Sequence, residues 1–128
     1  MINVRFYTNK GALCMRVEGH ADAAPRGEDV VCAGVSALAA TLADYASIMS
    51  AHGETEREPQ IRMVNGFTSV KVRPTKQHTG KLLTAFSVVT TGMKAIARNY
   101  PEYITLKLFD KSDLEGFSIT DSSTARTD

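Results

Sequence analysis

The chain has 128 residues, 43% of them apolar and 23% charged, with a formal net charge of +1, which is the make-up of one globular domain. A balance so near neutral gives no electrostatic case for nucleic acid or a membrane surface, and no partner of either kind is expected. The absence of an apolar run of bilayer length or a secretory leader, with only two cysteines and three histidines, predicts a cytoplasmic protein with reduced thiols and neither metal nor cofactor.

Ile2, Val4 and Phe6 alternate with polar neighbours, which predicts a half-buried strand. After a Lys10-Gly11 turn, Leu13, Met15 and Val17 continue the period of two in a second strand. A loop of small residues runs from Gly19 to about Glu28. From Val30 the period changes, and Val31, Val35, Leu38, Leu42, Tyr45 and Met49 form one stripe of a helix ended by His52-Gly53, with Asp29 at the N-cap. Ile61 and Met63, then Thr68, Val70 and Val72, predict a hairpin about Asn65-Gly66. Leu82, Phe86, Val89, Met93 and Ile96 mark a second helix stopped at Tyr100-Pro101, and Ile104, Leu106 and Leu108 a fifth strand. The order is ββαββαβ, an α+β domain over residues 1–109 with a largely antiparallel sheet and two helices. Residues 110–128 are polar and Ser/Thr-rich and read as a flexible tail.

The chemistry concentrates in GHADAAPRGEDVVCAGVSAL, residues 19–38. With the helix starting near Val30, Cys32 is its third residue, where unpaired amides and the helix dipole favour thiolate over thiol. Its flank carries Ser36, Ala39, Ala40 and Ala43, small side chains that leave room for a ligand, a second subunit or the preceding loop. Twelve residues are ample for His20 to fold back onto Cys32 and take its proton. Amides at the helix start, that of Cys32 included, would form an oxyanion hole. By residue type alone, a cysteine is more often a small core residue than a nucleophile. Asp29 either caps the helix or orients His20; Ser36 either donates to thiolate or substrate or bonds a backbone carbonyl one turn earlier.

The pattern G-H-A, a short loop, then G-x-D-V-V-C-A-G-V-S-A-L, matched here from Gly19 and His20 through Gly27, Asp29 and Cys32 to Leu38, resembles the signature of the bacterial ribosomal-processing cysteine proteases, the Prp family. That resemblance implies a homodimeric cytoplasmic endopeptidase that removes a short N-terminal extension from a large-subunit ribosomal protein. Its phage relatives process capsid or scaffold proteins, so a phage structural protein is the alternative substrate. Carried over by position, Cys32 is the nucleophile, His20 the general base, Gly19 a hinge for a loop over the site, and Asp29 and Ser36 supporting residues. Gly34 stands where the family often has alanine, and Ala23-Ala24-Pro25-Arg26 is this chain's own. Two other classes compete: a non-catalytic module docking on a ribosome or capsid, with Cys32 in the core, and a redox thiol protein with Cys14 as resolving partner. Cys14 otherwise reads as a partly exposed structural cysteine, and His52 and His78 as solvated. Lys71, Arg73 and Lys76 read as a solvated strand edge ahead of a contact surface for RNA or substrate.

Overall fold

The computed structural model describes residues 1–19 and 26–117, the side chains of residues 26–28 excepted. Strands β1 (Ile2–Asn9) and β2 (Ala12–Glu18) form the first hairpin. Its two-residue turn has positive φ at both Lys10 (49°) and Gly11 (86°), the handedness that matches the strand twist. Helix α1 (Arg26–Ala51) follows, then the hairpin β3 (Gln60–Val64) and β4 (Phe67–Val72), turned at Asn65-Gly66. A 3₁₀ turn at Lys76–His78 leads into α2 (Thr79–Asn99), and β5 (Ile104–Lys107) closes the sheet. The spatial order is β3-β4-β2-β1-β5, antiparallel except for the parallel β1–β5 pair. The predicted α+β architecture is therefore the observed one, with both helices on one face of the sheet.

The core lies between sheet and helices. Ile2, Val4 and Phe6 of β1 and Leu13, Met15 and Val17 of β2 meet Val31, Val35, Leu42 and Met49 of α1 and Leu82, Phe86, Val89 and Met93 of α2. Each such side chain contributes about 1.5–3 kcal/mol by leaving water. Over Asp29–Ala51, α1 is long and apolar enough to cross a bilayer, but its stripe is buried against the sheet, as expected of the core helix of a domain.

Three expectations need correcting. The domain does not end at residue 109: α3 (Lys111–Glu115) follows, its Asp110 N-cap and Asp113 forming a capping box. Thr8 Oγ1 donates to Asp113 Oδ1 at 3.1 Å, and Phe117 is buried in the core. One helical turn is too short to show a period, so this polar stretch reads as tail; residues 118–128 lie outside the described residues. The Lys71–Lys76 cluster is not at a sheet edge, because β4 lies between β3 and β2, and Arg73 Nη1 donates to the Lys10 carbonyl. His78 is not simply solvated: its Nδ1 is 2.7 Å from Thr75 Oγ1 and its Nε2 3.7 Å from Glu54.

Glu54 ties the end of α1 to the start of α2, accepting from Lys81 Nζ at 2.9 Å. That hydrogen bond, with the Lys81 charge and then His78 and His52, holds the Glu54 carboxyl below the usual carboxylate range, against burial acting the other way. A lowered folded-state value adds stability above the ordinary carboxylate pKa, lost as pH falls through the lowered one. Glu54→Gln is thus expected to have a lower urea midpoint than wild type at pH 7, with the gap closing as pH drops below about 4. At the end of β2, Gly19 has φ +105°, its amide donates to the Gly66 carbonyl at 3.0 Å, and a Cβ there would stand 2.4 Å from the Met1 carbonyl oxygen. Gly19→Ala should cost about 1–3 kcal/mol, read as a shifted urea midpoint at unchanged slope.

Candidate active site

Helix α1 begins at Arg26, one turn earlier than the apolar stripe implies. The missed signal is Pro25, since a proline suits the very start of a helix. Asp29 is therefore not the N-cap but a first-turn acid, favourably placed in the helix dipole. Cys32 becomes the seventh residue rather than the third, beyond the turn where the dipole acts strongly. Its amide belongs to the helical hydrogen-bond ladder, because only the first four N–H groups of a helix lack a partner within it. The expected oxyanion hole at that amide is ruled out on the same ground.

What remains is a surface with a defined pattern. Asp29, Cys32 and Ser36 are three and four residues apart, so they line one face of α1. Asp29 and Ser36 are exposed; Cys32 between them is half-buried, a free thiol against the edge of the core. Thr41 back-bonds the Ala37 carbonyl at 2.7 Å, whereas the Ser36 hydroxyl has no such partner among the described residues. The small flank is only partly open: Ala39 and Ala43 are buried at 1–2% exposure, leaving Ala40 and Ser36 toward solvent.

The topology brings Cys32 to the end of the domain where β2 stops. Gly34 of α1 packs on Ile96 near the end of α2. The chain then turns through Tyr100–Tyr103, with Ile2 N–H donating to the Tyr103 carbonyl at 3.0 Å, and enters β5. The starts of β5 and β1 and the finish of β2 are thus at one end, together with Gly19. His20, the next residue in the chain, lies outside the described residues. The packing at Gly34 is close: a Cβ there would be 3.1 Å from Ile96 Cδ1, so an alanine would need that side-chain tip to give way by a few tenths of an ångström.

The second cysteine is of another kind. Cys14 alternates with Leu13 and Met15, so it points away from the helices, yet it is 1% exposed rather than partly exposed as its register suggests. Its cross-strand neighbours are Tyr7 and Lys71. Burial raises the thiol above its ordinary pKa, although the Lys71 and Arg73 charges and a hydrogen bond with Tyr7 pull the other way. With Cys14 on one face of the sheet and Cys32 on the helical side of it, the two free thiols are not poised to pair. The resolving role considered for Cys14 has no geometric support. Among the described residues no cluster of His, Cys, Asp and Glu could hold a metal ion.

The family model of the cysteine protease Prp matches residues 1–105. The ribosomal processing cysteine protease Prp of Mycoplasma pneumoniae is 30% identical over 96 residues, covering 73% of this chain and 84% of its own. That of Mycoplasma genitalium is 28% identical over 89 residues, covering 70% and 81%. A Streptococcus mutans protein of known structure superposes with a TM-score of 0.62 at 27% identity over 85% of this chain and 94% of its own. The S. aureus Prp with a covalently linked product peptide gives 0.56 at 26%, over 84% and 99%. The chain belongs to the Prp family and is a cysteine protease.

The two thiols should differ in rate. Mild iodoacetamide treatment of the native protein near neutral pH should label Cys32 first and Cys14 slowly, because thiolate fraction and access control alkylation. Peptide mapping of the product, with Cys32→Ala abolishing the fast phase, checks the assignment; fast labelling of Cys14 would contradict the burial of its side chain.

Proposed function

We propose that this protease is an endopeptidase with a Cys32–His20 dyad, and that its substrate is the N-terminal extension of a large-subunit ribosomal protein. The supporting observation is the free, half-exposed Cys32 on the Asp29–Cys32–Ser36 face, at the end of the domain where Gly19 leads into His20. The S. aureus relative bears a covalently linked product peptide, which is what a thiol nucleophile would leave. The Mycoplasma relatives are ribosomal processing enzymes by name, and this favours a ribosomal protein precursor over a phage structural protein.

His20 takes the proton from Cys32 Sγ as the sulfur attacks the scissile carbonyl carbon. The C–N bond then breaks, the same proton goes to the departing amine, and an acyl thioester remains. Water deprotonated by His20 attacks the thioester; the C–S bond breaks and the thiol is restored. The Cys32 amide is bonded within the helix, so oxyanion stabilisation falls to other donors. The exposed Ser36 hydroxyl, one turn on from the sulfur, is our choice for one of them. Asp29, no longer needed as a cap, is assigned to orient His20.

The enzyme acts as a homodimer in this reading. An apolar groove of about 470 Å³ runs between α1 and α2, lined by Leu42, Tyr45, Ala85 and Val88 among others, with Val88 66% exposed. It lies about 14 Å along α1 from Cys32 at 1.5 Å per residue, so a partner copy there would leave the thiol open to substrate.

Incubation with a peptide spanning the extension and the mature N-terminus is the direct test. Cys32→Ala and His20→Ala should abolish cleavage with the urea midpoint intact. Ser36→Ala should lower kcat about 10-fold or more with little change in KM, and Ser36→Thr should restore part of it. Cleavage surviving in either dyad variant would sink the proposal.

A further inference from the structure

The face of the sheet turned away from the helices carries a pattern that proteolysis does not use. The register aligns Arg62 of β3, Ser69 of β4, Arg16 of β2, Arg5 of β1 and Lys107 of β5 in a single row across all five strands. The row spans about 19 Å at 4.8 Å per strand. Four of its five positions are cations. Arg5 stands directly opposite Arg16 on one side and Lys107 on the other, an arrangement that destabilises a sheet. Lys71, one row away, is on the same face beside Cys14. Within the strands the face holds five cations and one carboxylate, Glu18, already bonded to Arg16 Nε at 2.7 Å.

Two aromatic rings flank the row. The Arg5 guanidinium lies 4.6 Å from the centroid of Tyr7, and Arg16 and Arg62 lie 5.0 and 5.7 Å from that of Phe67. These contacts place three guanidinium groups beside aromatic rings on the open face, and a planar group can stack on either kind of surface. Arg5, Arg16, Arg62 and Lys107 are exposed, and Tyr7 and Phe67 half-buried.

We propose that this face binds single-stranded RNA. Phosphates would run along the cation row, perpendicular to the strands, with unpaired bases stacked on the guanidinium planes and rings beside it. An acidic peptide would satisfy the charges but make no use of the rings, and a duplex would hide its bases. The net charge of +1 argues against a nucleic-acid partner only for the chain as a whole, because the excess of positive charge is gathered on one face.

Fluorescence anisotropy of a labelled oligouridylate, titrated with the full chain, is the test. Binding should weaken about 20- to 50-fold between about 50 and 200 mM salt, the fall expected when three or four phosphates are neutralised on a single strand. Combining Arg5→Gln, Arg16→Gln and Arg62→Gln should abolish it. The same loss of charge at exposed positions off this face, through Lys76→Gln, Lys94→Gln and Arg98→Gln, should not. Urea midpoint and Cys32 alkylation rate confirm that each variant is folded; should the triple variant fail there, Arg62→Gln alone, on an edge strand, should still weaken binding several-fold. No binding at low salt, equal loss in both sets, or equally effective displacement by polyglutamate would overturn the proposal, the last in favour of an acidic protein.

Discussion

α1 and α2 approach each other where two side chains are missing. A Cβ at Gly34 would be 3.1 Å from Ile96 Cδ1, and one at Gly92 would be 2.9 Å from Leu38 Cδ1. Each glycine inside a helix costs about 1 kcal/mol relative to alanine, so the close approach is maintained against local preference. Together with the buried stripe of Val31, Val35, Leu42 and Met49, it sets the rotation of α1 on the domain, and with it the position of Cys32. Each residue of helical register turns a side chain by about 100°, so a slip of one position would carry Cys32 away from the edge of the core where it now stands. The helix contact and the buried stripe together leave Cys32 half-exposed, and helical spacing puts Asp29 and Ser36 one turn to either side of it.

The sheet and the two long helices are readable in the sequence because burial on one side imposes a period. Ile2, Val4 and Phe6 announce a strand, and Leu82, Phe86, Val89 and Met93 a helix, with the side chains the structure buries. Where burial leaves no period, the pattern misleads. The first turn of α1 holds no member of the apolar stripe, so the stripe starts the helix at Val30 and credits Cys32 with a terminus it does not occupy. The single turn of α3 is polar and joins the core only through Phe117, just beyond its end. At the site, the face shared by Asp29, Cys32 and Ser36 survives the shift in helix start, because spacing along a helix does not depend on where the helix begins. The amide donor expected at Cys32 does depend on it, and is lost.

The same logic separates the two cysteines. Period two places Cys14 opposite Leu13 and Met15, on the face without helices, where a thiol would ordinarily meet water. Its burial comes from long neighbours on adjacent strands, Tyr7 and Lys71, which the sequence does not pair until the sheet order β4-β2-β1 is known. Desolvation then raises that thiol, so the cysteine of β2 is shielded while Cys32 is half-exposed. The difference between the two thiols is one of access.

Sheet order also changes what charge means in this chain. Arg5, Arg16, Arg62 and Lys107 are scattered through the sequence, each a solitary cation between apolar residues, and in composition they vanish into a balance of +1. Once the strands are ordered β3-β4-β2-β1-β5, the four fall into one row, because parity puts each on the open face and register puts each at the same height. A solvated face needs cations on that side but not at the same height, and like charges placed opposite each other are unfavourable. Packing does not require the alignment either, since the core lies on the other side of the sheet. What favours such a row is an anion laid across it, an extended polyanion held at several points along its length. The enzyme would then use the two faces of one sheet for different ends: the helical side carries Cys32, and the open side holds the RNA.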